Sequence, residues 1–196
     1  MTETGPQGDI DAIDVRGAVG VPDGLERMWT PHRMPYLNGE NKPQGDPNDP
    51  LECPFCVIPT KSDEDALIVA RGTLVYVVLN LYPYNAGHVL VVPFRHVADI
   101  TELSADESAE FFLFTQLSVA TLRSATTAHG FNVGMNLGSV AGAGIAAHLH
   151  QHVVPRWGGD SNFMPIIGRT RILPQLLSDT RKVLADAWAG APAQDR

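Results

Sequence analysis

Three histidines, His148, His150 and His152, stand at alternate positions in the run Ala-Ala-His-Leu-His-Gln-His-Val-Val-Pro-Arg-Trp. Side chains on an extended strand alternate between faces. A strand from His148 to Val154 therefore lines three imidazoles along one face and turns Leu149, Gln151 and Val153 to the other. Three chemistries fit that spacing. In a plain structural strand each ring would need a hydrogen bond, because burying a polar group without a partner costs free energy. Adjacent same-face imidazoles can also chelate zinc, although a catalytic zinc commonly takes three protein ligands and keeps a water in the fourth position. A neutral imidazole can instead attack an electrophile while its neighbours stabilise charge and handle protons. The strand alone does not choose among them.

Two further segments have to bring groups to that strand. Asn80-Leu-Tyr-Pro-Tyr-Asn-Ala-Gly-His88 reads as a strand end, a Pro/Asn/Gly turn and a second strand entered at His88, which continues to Pro93 and on to His96. It is a hairpin with polar groups at its mouth. Downstream, Phe131-Asn-Val-Gly-Met-Asn136-Leu-Gly138-Ser-Val-Ala-Gly142-Ala-Gly144-Ile reads as a strand running into a glycine-rich turn that feeds the histidine strand. Small residues there let backbone N–H groups approach an anionic ligand closely. No phosphate-loop lysine follows and no Gly-x-Gly-x-x-Gly opens a helix, which excludes Walker and Rossmann sites. Cys53-Pro-Phe-Cys56 holds both cysteines of the chain. Such a pair can be a redox couple, half of a zinc site or a coincidence. A thioredoxin-like couple would open a helix after a strand, whereas this pair follows a Pro/Gly/Asn/Asp-rich stretch.

Taken in order, these motifs resemble the histidine-triad (HIT) nucleotide hydrolases and transferases. Their signature, His-x-His-x-His followed by two apolar residues, stands here as His148-Leu-His150-Gln-His152-Val153-Val154. The Gly-His-Val-Leu-Val-x-Pro hairpin and the Asn-x-Gly…Ala-Gly turn belong to the same pattern, which covers residues 50 to 160. The continuation Val-Val-Pro-Arg-Trp-Gly-Gly-Asp-Ser-Asn-Phe-Met-Pro is similar to the bacterial branch related to fragile-histidine-triad proteins.

The resemblance implies an α+β fold whose antiparallel sheet joins its copy across a two-fold axis in a homodimer, with a tetramer as the alternative. It implies a catalytic set of His150, His152, His148 and His88. In that set His150 attacks the α-phosphorus of a nucleotide and forms a nucleotidyl-histidine, while its other ring nitrogen donates to a backbone carbonyl. His152 and His88 match positions that contact the reacting phosphate oxygens, and Asn80 matches a ribose contact. Asn136 and the backbone from Gly138 through Gly142 to Gly144 are expected at phosphate. The implied substrates are adenine dinucleoside polyphosphates carried with a divalent cation such as Mg. Phosphorolysis of diadenosine tetraphosphate to ADP and ATP, with inorganic phosphate as acceptor, is the leading expectation. Hydrolysis to AMP, phosphoramidate cleavage and a nucleotide-sensing module are the alternatives.

Two details refine what the resemblance implies. Many HIT proteins carry Ala-Gly-Gln and a hydroxyl residue before the triad, whereas Ala141-Gly142 is followed here by Ala143, Gly144 and Ile145. A phosphoramidate, whose amine must be protonated to leave, loses most by that change, so dinucleoside polyphosphates are the favoured class. In branches with the cysteine pair, a structural zinc is held by positions matching Cys53, Cys56, His96 and His148, a closed set with no open position. Trp157, just past the triad, can stack on a base or pack at a subunit interface.

The 196 residues, 44% hydrophobic, suffice for one domain with its own core. The expected division is an N-terminal tail and extension over residues 1–50, the HIT domain over 51–160, and a C-terminal loop and helix over 161–196 packed on it. Residues 1–22 read as a mobile polar tail. Met28, Trp29, Met34 and Tyr36 mark a stretch that packs on the domain or on a partner chain, and Pro43 to Pro54 reads as a linker. With 14 Lys plus Arg against 22 Asp plus Glu, a net charge of −8 argues against a nucleic-acid or anionic-membrane surface. A small anion must then be met by local donors, for which Arg156, Arg169 and Arg171 are candidates. The N-terminus lacks a basic region followed by an apolar run, and no apolar stretch approaches a membrane span, so a cytoplasmic protein is expected.

Strands are expected near 67–69, 74–79, 88–93, 131–136 and 148–154. A helix over 105–128 is capped by Ser104, with Asp106, Glu107 and Glu110 in its first turns and Phe111, Phe114, Leu117 or Ser118, and Leu122 as its core stripe. A last helix can begin at Pro174, with Leu176, Leu177, Val183, Leu184 and Trp188 supplying its apolar face.

Overall fold

The computed structural model describes residues 46, 48–160 and 175–189. Residues 1–45 of the expected tail and extension, Pro174, Arg169 and Arg171 lie outside the described residues. In chain order the elements are a one-turn helix α1 (Pro54–Val57), strands β1 (Ile68–Arg71), β2 (Val75–Leu79) and β3 (Val89–Pro93), a long helix α2 (Ala105–Ala125), strands β4 (Gly130–Met135) and β5 (Gln151–Arg156), and helix α3 (Leu177–Ala189). The strands form one antiparallel sheet in the order β1-β2-β3-β5-β4.

Every residue of β2 (VYVVL) and β3 (VLVVP) is buried. Their unbroken apolar runs belong to a sheet covered on both sides, where an alternating strand would put polar groups into the core. On one side Val75, Val77, Leu79, Val89, Val91, Leu149 and Val153 pack with Phe111, Phe114 and Leu122 of α2 and Leu184 of α3. On the other, Ile68, Tyr76, Val78, Leu90 and Val92 pack with Cys53, Phe55 and Ala66.

Helix α2 starts where expected. Ser104 and Glu107 form a reciprocal capping box, which satisfies two otherwise orphaned backbone donors. The acidic residues of its first turns do more than complement the helix dipole. Glu107 takes the Arg95 guanidinium at 2.8 and 2.6 Å, and Glu110 accepts from the backbone N–H of Thr73 at 2.7 Å and from that of Leu74, which ties the β1–β2 turn to the helix. The helix ends at Ala125, short of the expected Ala128. The Thr126 backbone N–H and hydroxyl both donate to the Leu122 carbonyl, at 3.0 and 2.6 Å, while its backbone turns extended, so the residue closes the last turn without continuing the helix.

Two further expectations are corrected. In α3, Leu184 is buried and Trp188 packs 5.4 Å from Phe114, but Leu176 and Val183 are exposed. Val183 precedes the core residue Leu184 by one position, about 100° of rotation on a helix, and Leu176 lies before the first turn of α3. The stretch expected as a linker up to Pro54 is ordered at its end. Cys53 N–H donates to the Asp49 carbonyl at 2.9 Å and Pro54 opens α1, because burial of Cys53 and Phe55 overrides the turn-like composition. No helix among the described residues is long and apolar enough to cross a membrane.

Candidate active site

The histidine run enters β5 later than expected. The strand begins at Gln151, so His148 and His150 lie on the approach to it and His152 alone is within it. Backbone pairing with β3 spans only Val89↔Val153 to Val91↔Gln151, and upstream of it the Leu149 N–H donates to the Val97 carbonyl at 2.6 Å. The alternation of faces survives nonetheless. Leu149 and Val153 join the core beneath α2, and the Gln151 amide donates to the Thr115 hydroxyl of that helix at 2.7 Å. The three imidazoles take the opposite face. His88 reaches the same face, because it precedes by two residues Leu90, the partner of His152 across β3 and β5.

Fixed backbone groups set the tautomers of three rings, and through His88 that of a fourth. His150 Nδ1 lies 2.8 Å from the His148 carbonyl, which only accepts, so Nδ1 carries the proton and Nε2 keeps its lone pair. His148 Nε2 donates to the Pro93 carbonyl at 3.0 Å, which leaves its Nδ1 unprotonated. Tyr84 N–H donates to His88 Nδ1 at 3.0 Å. His88 therefore carries its proton on Nε2 and gives it to His152 Nδ1 at 2.9 Å, and a neutral His152 presents Nε2–H. Burial holds the His150 pKa below its usual value, against the smaller raising effect of its bond to the His148 carbonyl. The arrangement thus offers a neutral imidazole with a free lone pair beside an imidazole N–H donor. That is the equipment for attack on an electrophile whose charge must be stabilised.

Behind His150 lies a compact donor set. Cys53, Cys56, His96 and His148 each offer one ligand atom, all within 4.8 Å of one another. Cys53 Sγ lies 3.4 Å from His148 Nδ1, and Cys56 Sγ lies 3.3 Å from His96 Nδ1 and 3.5 Å from His148 Nδ1. Tetrahedral zinc would set such ligand–ligand edges at about 3.3–3.8 Å. Burial pushes the Cys56 thiol up to about 11, with Cys53 beside it adding to the shift, and burial holds His148 down at about 4. A neutral imidazole with its lone pair directed at two thiols suits a soft cation, which offsets the cost of thiolates there. These four residues could hold a metal, and they fit zinc.

The remaining expected residues are placed less uniformly. Asn80 closes the hairpin turn by accepting from the Tyr82 N–H at 2.9 Å, and its amide is 3.4 Å from His88 Nδ1. Asn136 reaches back to the Gly142 carbonyl at 3.5 Å. Gly138 (φ 82°) and Gly142 (φ 90°) bracket a single 3-10 turn in backbone conformations that side chains disfavour, and open space lies beside both. Gly144 is half-buried in the loop beyond them. Trp157 lies just past the end of β5, and its indole N–H turns to Thr127 at 3.3 Å. Arg156 is taken by Asp160, at 2.6 and 2.8 Å, and by Asn132.

Sequence reasoning missed several residues that shape the site. Tyr84 supplies the N–H that orients His88, and its ring lies 4.8 Å from His88 and 5.6 Å from His152. Asp160 accepts from Asn85 at 2.9 Å and so ties the hairpin mouth to the end of β5. Phe55 packs on His148 and His150. The aromatic content of the hairpin was a visible signal for Tyr84; nothing local marks Asp160 or Phe55.

A five-stranded antiparallel sheet carrying His-x-His-x-His on one face defines a histidine-triad protein, and the HIT domain model matches residues 61–159. The chain belongs to the HIT family. Over 177 residues it is 54% identical to the AP-4-A phosphorylase of Mycobacterium tuberculosis (strain ATCC 25618 / H37Rv), a match covering 89% of this chain and 90% of that protein. It is 37% identical over 87 residues to the bifunctional bis(5'-adenosyl)-triphosphatase/adenylylsulfatase FHIT of Arabidopsis thaliana, covering 44% of this chain and 48% of that one. Among solved structures it is similar to a Zn-bound histidine triad family protein from Mycobacterium smegmatis, with a TM-score of 0.59 and 26% identity over 72% of this chain and 96% of that one.

Proposed function

We propose that this chain is a nucleotidyltransferase that phosphorolyses diadenosine tetraphosphate to ADP and ATP. The observation that carries the reading is the bond from His150 Nδ1 to the His148 carbonyl, which leaves Nε2 as an unprotonated nucleophile. In the first displacement the Nε2 lone pair forms a bond to an α-phosphorus. The P–O bond to the rest of the substrate breaks, its electrons go to the departing oxygen, and ATP leaves. In the second, an oxygen of inorganic phosphate attacks the same phosphorus, the P–N bond breaks with its electrons returning to Nε2, and ADP leaves. The His152 Nε2–H, held by His88, donates to the phosphate oxygens in both displacements, while Asn80 meets the ribose and Asn136 and Gly138 to Gly144 line the polyphosphate. A polyphosphate leaving group needs little protonation, in keeping with a loop that offers Ala143, Gly144 and Ile145 where many relatives have a hydroxyl. The 54% identity to a protein named AP-4-A phosphorylase supports phosphate as acceptor.

Zinc on Cys53, Cys56, His96 and His148 would be structural, its charge neutralising the two thiolates. A divalent cation such as Mg accompanies the polyphosphate as part of the substrate. β4 is an edge strand with Val133 exposed, the side on which a second copy would extend the sheet into a homodimer.

The test is product analysis of purified protein given diadenosine tetraphosphate and Mg, with and without inorganic phosphate. Phosphate-dependent ADP plus ATP is expected. AMP plus ATP without phosphate would overturn phosphorolysis in favour of hydrolysis, and no turnover in either would overturn the assignment. Metal analysis of protein prepared without chelator should find about one zinc per chain.

A further inference from the structure

Phe55 sits between the two cysteines and contributes no metal ligand, yet its ring is only 6% exposed. The ring lies 4.9 Å from His150, tilted by 42°, and 5.5 Å from His148, edge-on at 70°. His152 also neighbours His150, at 5.1 Å and 73°. His150 therefore packs against two rings. Its hydrogen bond to the His148 carbonyl fixes one edge of the imidazole, and a single bond leaves the ring free to tilt about that edge. The ring packed against it removes that freedom, and so fixes where Nε2 points.

Phe55 is itself held from the sheet. Its carbonyl accepts from the Tyr76 hydroxyl at 2.7 Å, and Tyr76, on β2, is fully buried. Burial drives the phenol pKa far up, so the group stays a neutral donor. A phenylalanine would fill the same space without having to satisfy a hydroxyl. The hydroxyl is placed to anchor the Cys-Pro-Phe-Cys turn at its centre, independently of any metal on the flanking cysteines.

We infer that Phe55, clamped through its carbonyl by Tyr76, is a positioning residue for His150, so that the cysteine turn aims the attacking imidazole as well as offering metal ligands. The inference rests on the nucleotidyltransferase reading for its kinetic consequence, but its structural consequence can be read without substrate.

Three proteins decide it: wild type, Phe55→Leu and Tyr76→Phe, all with their metal retained and their metal content measured. Histidine-labelled NMR reads the hydrogen-bonded Nδ1–H of His150, and single-turnover labelling reads the rate of nucleotidyl-enzyme formation. Phe55→Leu should broaden or lose that Nδ1–H signal and slow nucleotidylation about 10- to 100-fold, the scale expected when a reacting group is misplaced by an ångström or less. KM should stay within about twofold and the metal content should be unchanged. Tyr76→Phe should act in the same direction by about 3- to 10-fold, and it decides the matter if Phe55→Leu does not fold. Wild-type signal and rate in both variants would overturn the inference. So would a loss that tracks metal content and is restored by added zinc, or a change confined to KM. If wild type forms no nucleotidyl-enzyme, the functional reading fails while the NMR comparison still decides the positioning.

Discussion

The two faces of the sheet are buried to a similar degree but are covered differently. Beneath α2 and α3 the sheet meets hydrocarbon, with Val75, Val77, Val89, Val91 and Val153 against Phe111, Phe114, Leu122 and Leu184. On the far face a one-turn helix, a hairpin mouth and a glycine loop cover five imidazoles and two thiols. Apolar packing is undirected and gains with area. A buried imidazole is tolerated only with each polar atom placed, and here the placement comes largely from carbonyls and N–H groups of the main chain. One face supplies stability and the other supplies geometry, so substitutions should separate the two.

The largest effect belongs to the geometric face. His150→Ala should lower turnover by at least about 10⁴-fold while leaving the melting temperature nearly unchanged and nucleotide binding measurable. Retained turnover would remove His150 as nucleophile. On the helical face Leu122→Ala, at a site 1% exposed, should cost about 2–5 kcal/mol in urea unfolding. The kcat of the folded fraction should hold, and a matching loss in kcat would show that the faces are not separable.

A third test concerns the edge where α2 begins. The Arg95 guanidinium and the Ser104 N–H hold Glu107 at about 2, below its ordinary 4.5. A depressed carboxylate stabilises the fold above its unfolded value, and that contribution is lost as pH falls from about 4.5 towards 2. Urea midpoints should therefore drop across that window, and Glu107→Gln should flatten the drop. An unaltered profile in the variant would assign acid sensitivity elsewhere. The smallest effect is a gain. Among the described residues Thr121 buries a hydroxyl oxygen without a hydrogen-bond partner, so Thr121→Val should be neutral or stabilise by up to about 1 kcal/mol without changing turnover. A loss above that size would show that the hydroxyl does have a partner in solution.

The same contrast explains what was legible in the sequence. The helical face was readable because its signals are periodic and local: apolar runs for β2 and β3, the stripe on α2, and Ser104 with Glu107 three residues on. The triad was readable because its spacing matches the pleat, and the alternation of faces extends to residues upstream of the strand itself. What stayed hidden is carried by the main chain or by contacts distant in sequence. Tyr76 and Phe55 are 21 residues apart, and the bond joining them ends on a carbonyl that any residue possesses. Likewise the β5 boundary depends on where pairing with β3 begins, and the exposure of Leu176 and Val183 depends on how α3 rolls against α2.

The protons of the imidazole cluster are assigned by Pro93 O, His148 O and Tyr84 N, groups that persist through almost any side-chain replacement at those positions. A lineage could therefore exchange the surrounding side chains without rewriting which ring nitrogens carry protons and which keep lone pairs. That latitude fits a scaffold whose reactive core is inherited with the path of the chain while its selectivity is left to drift.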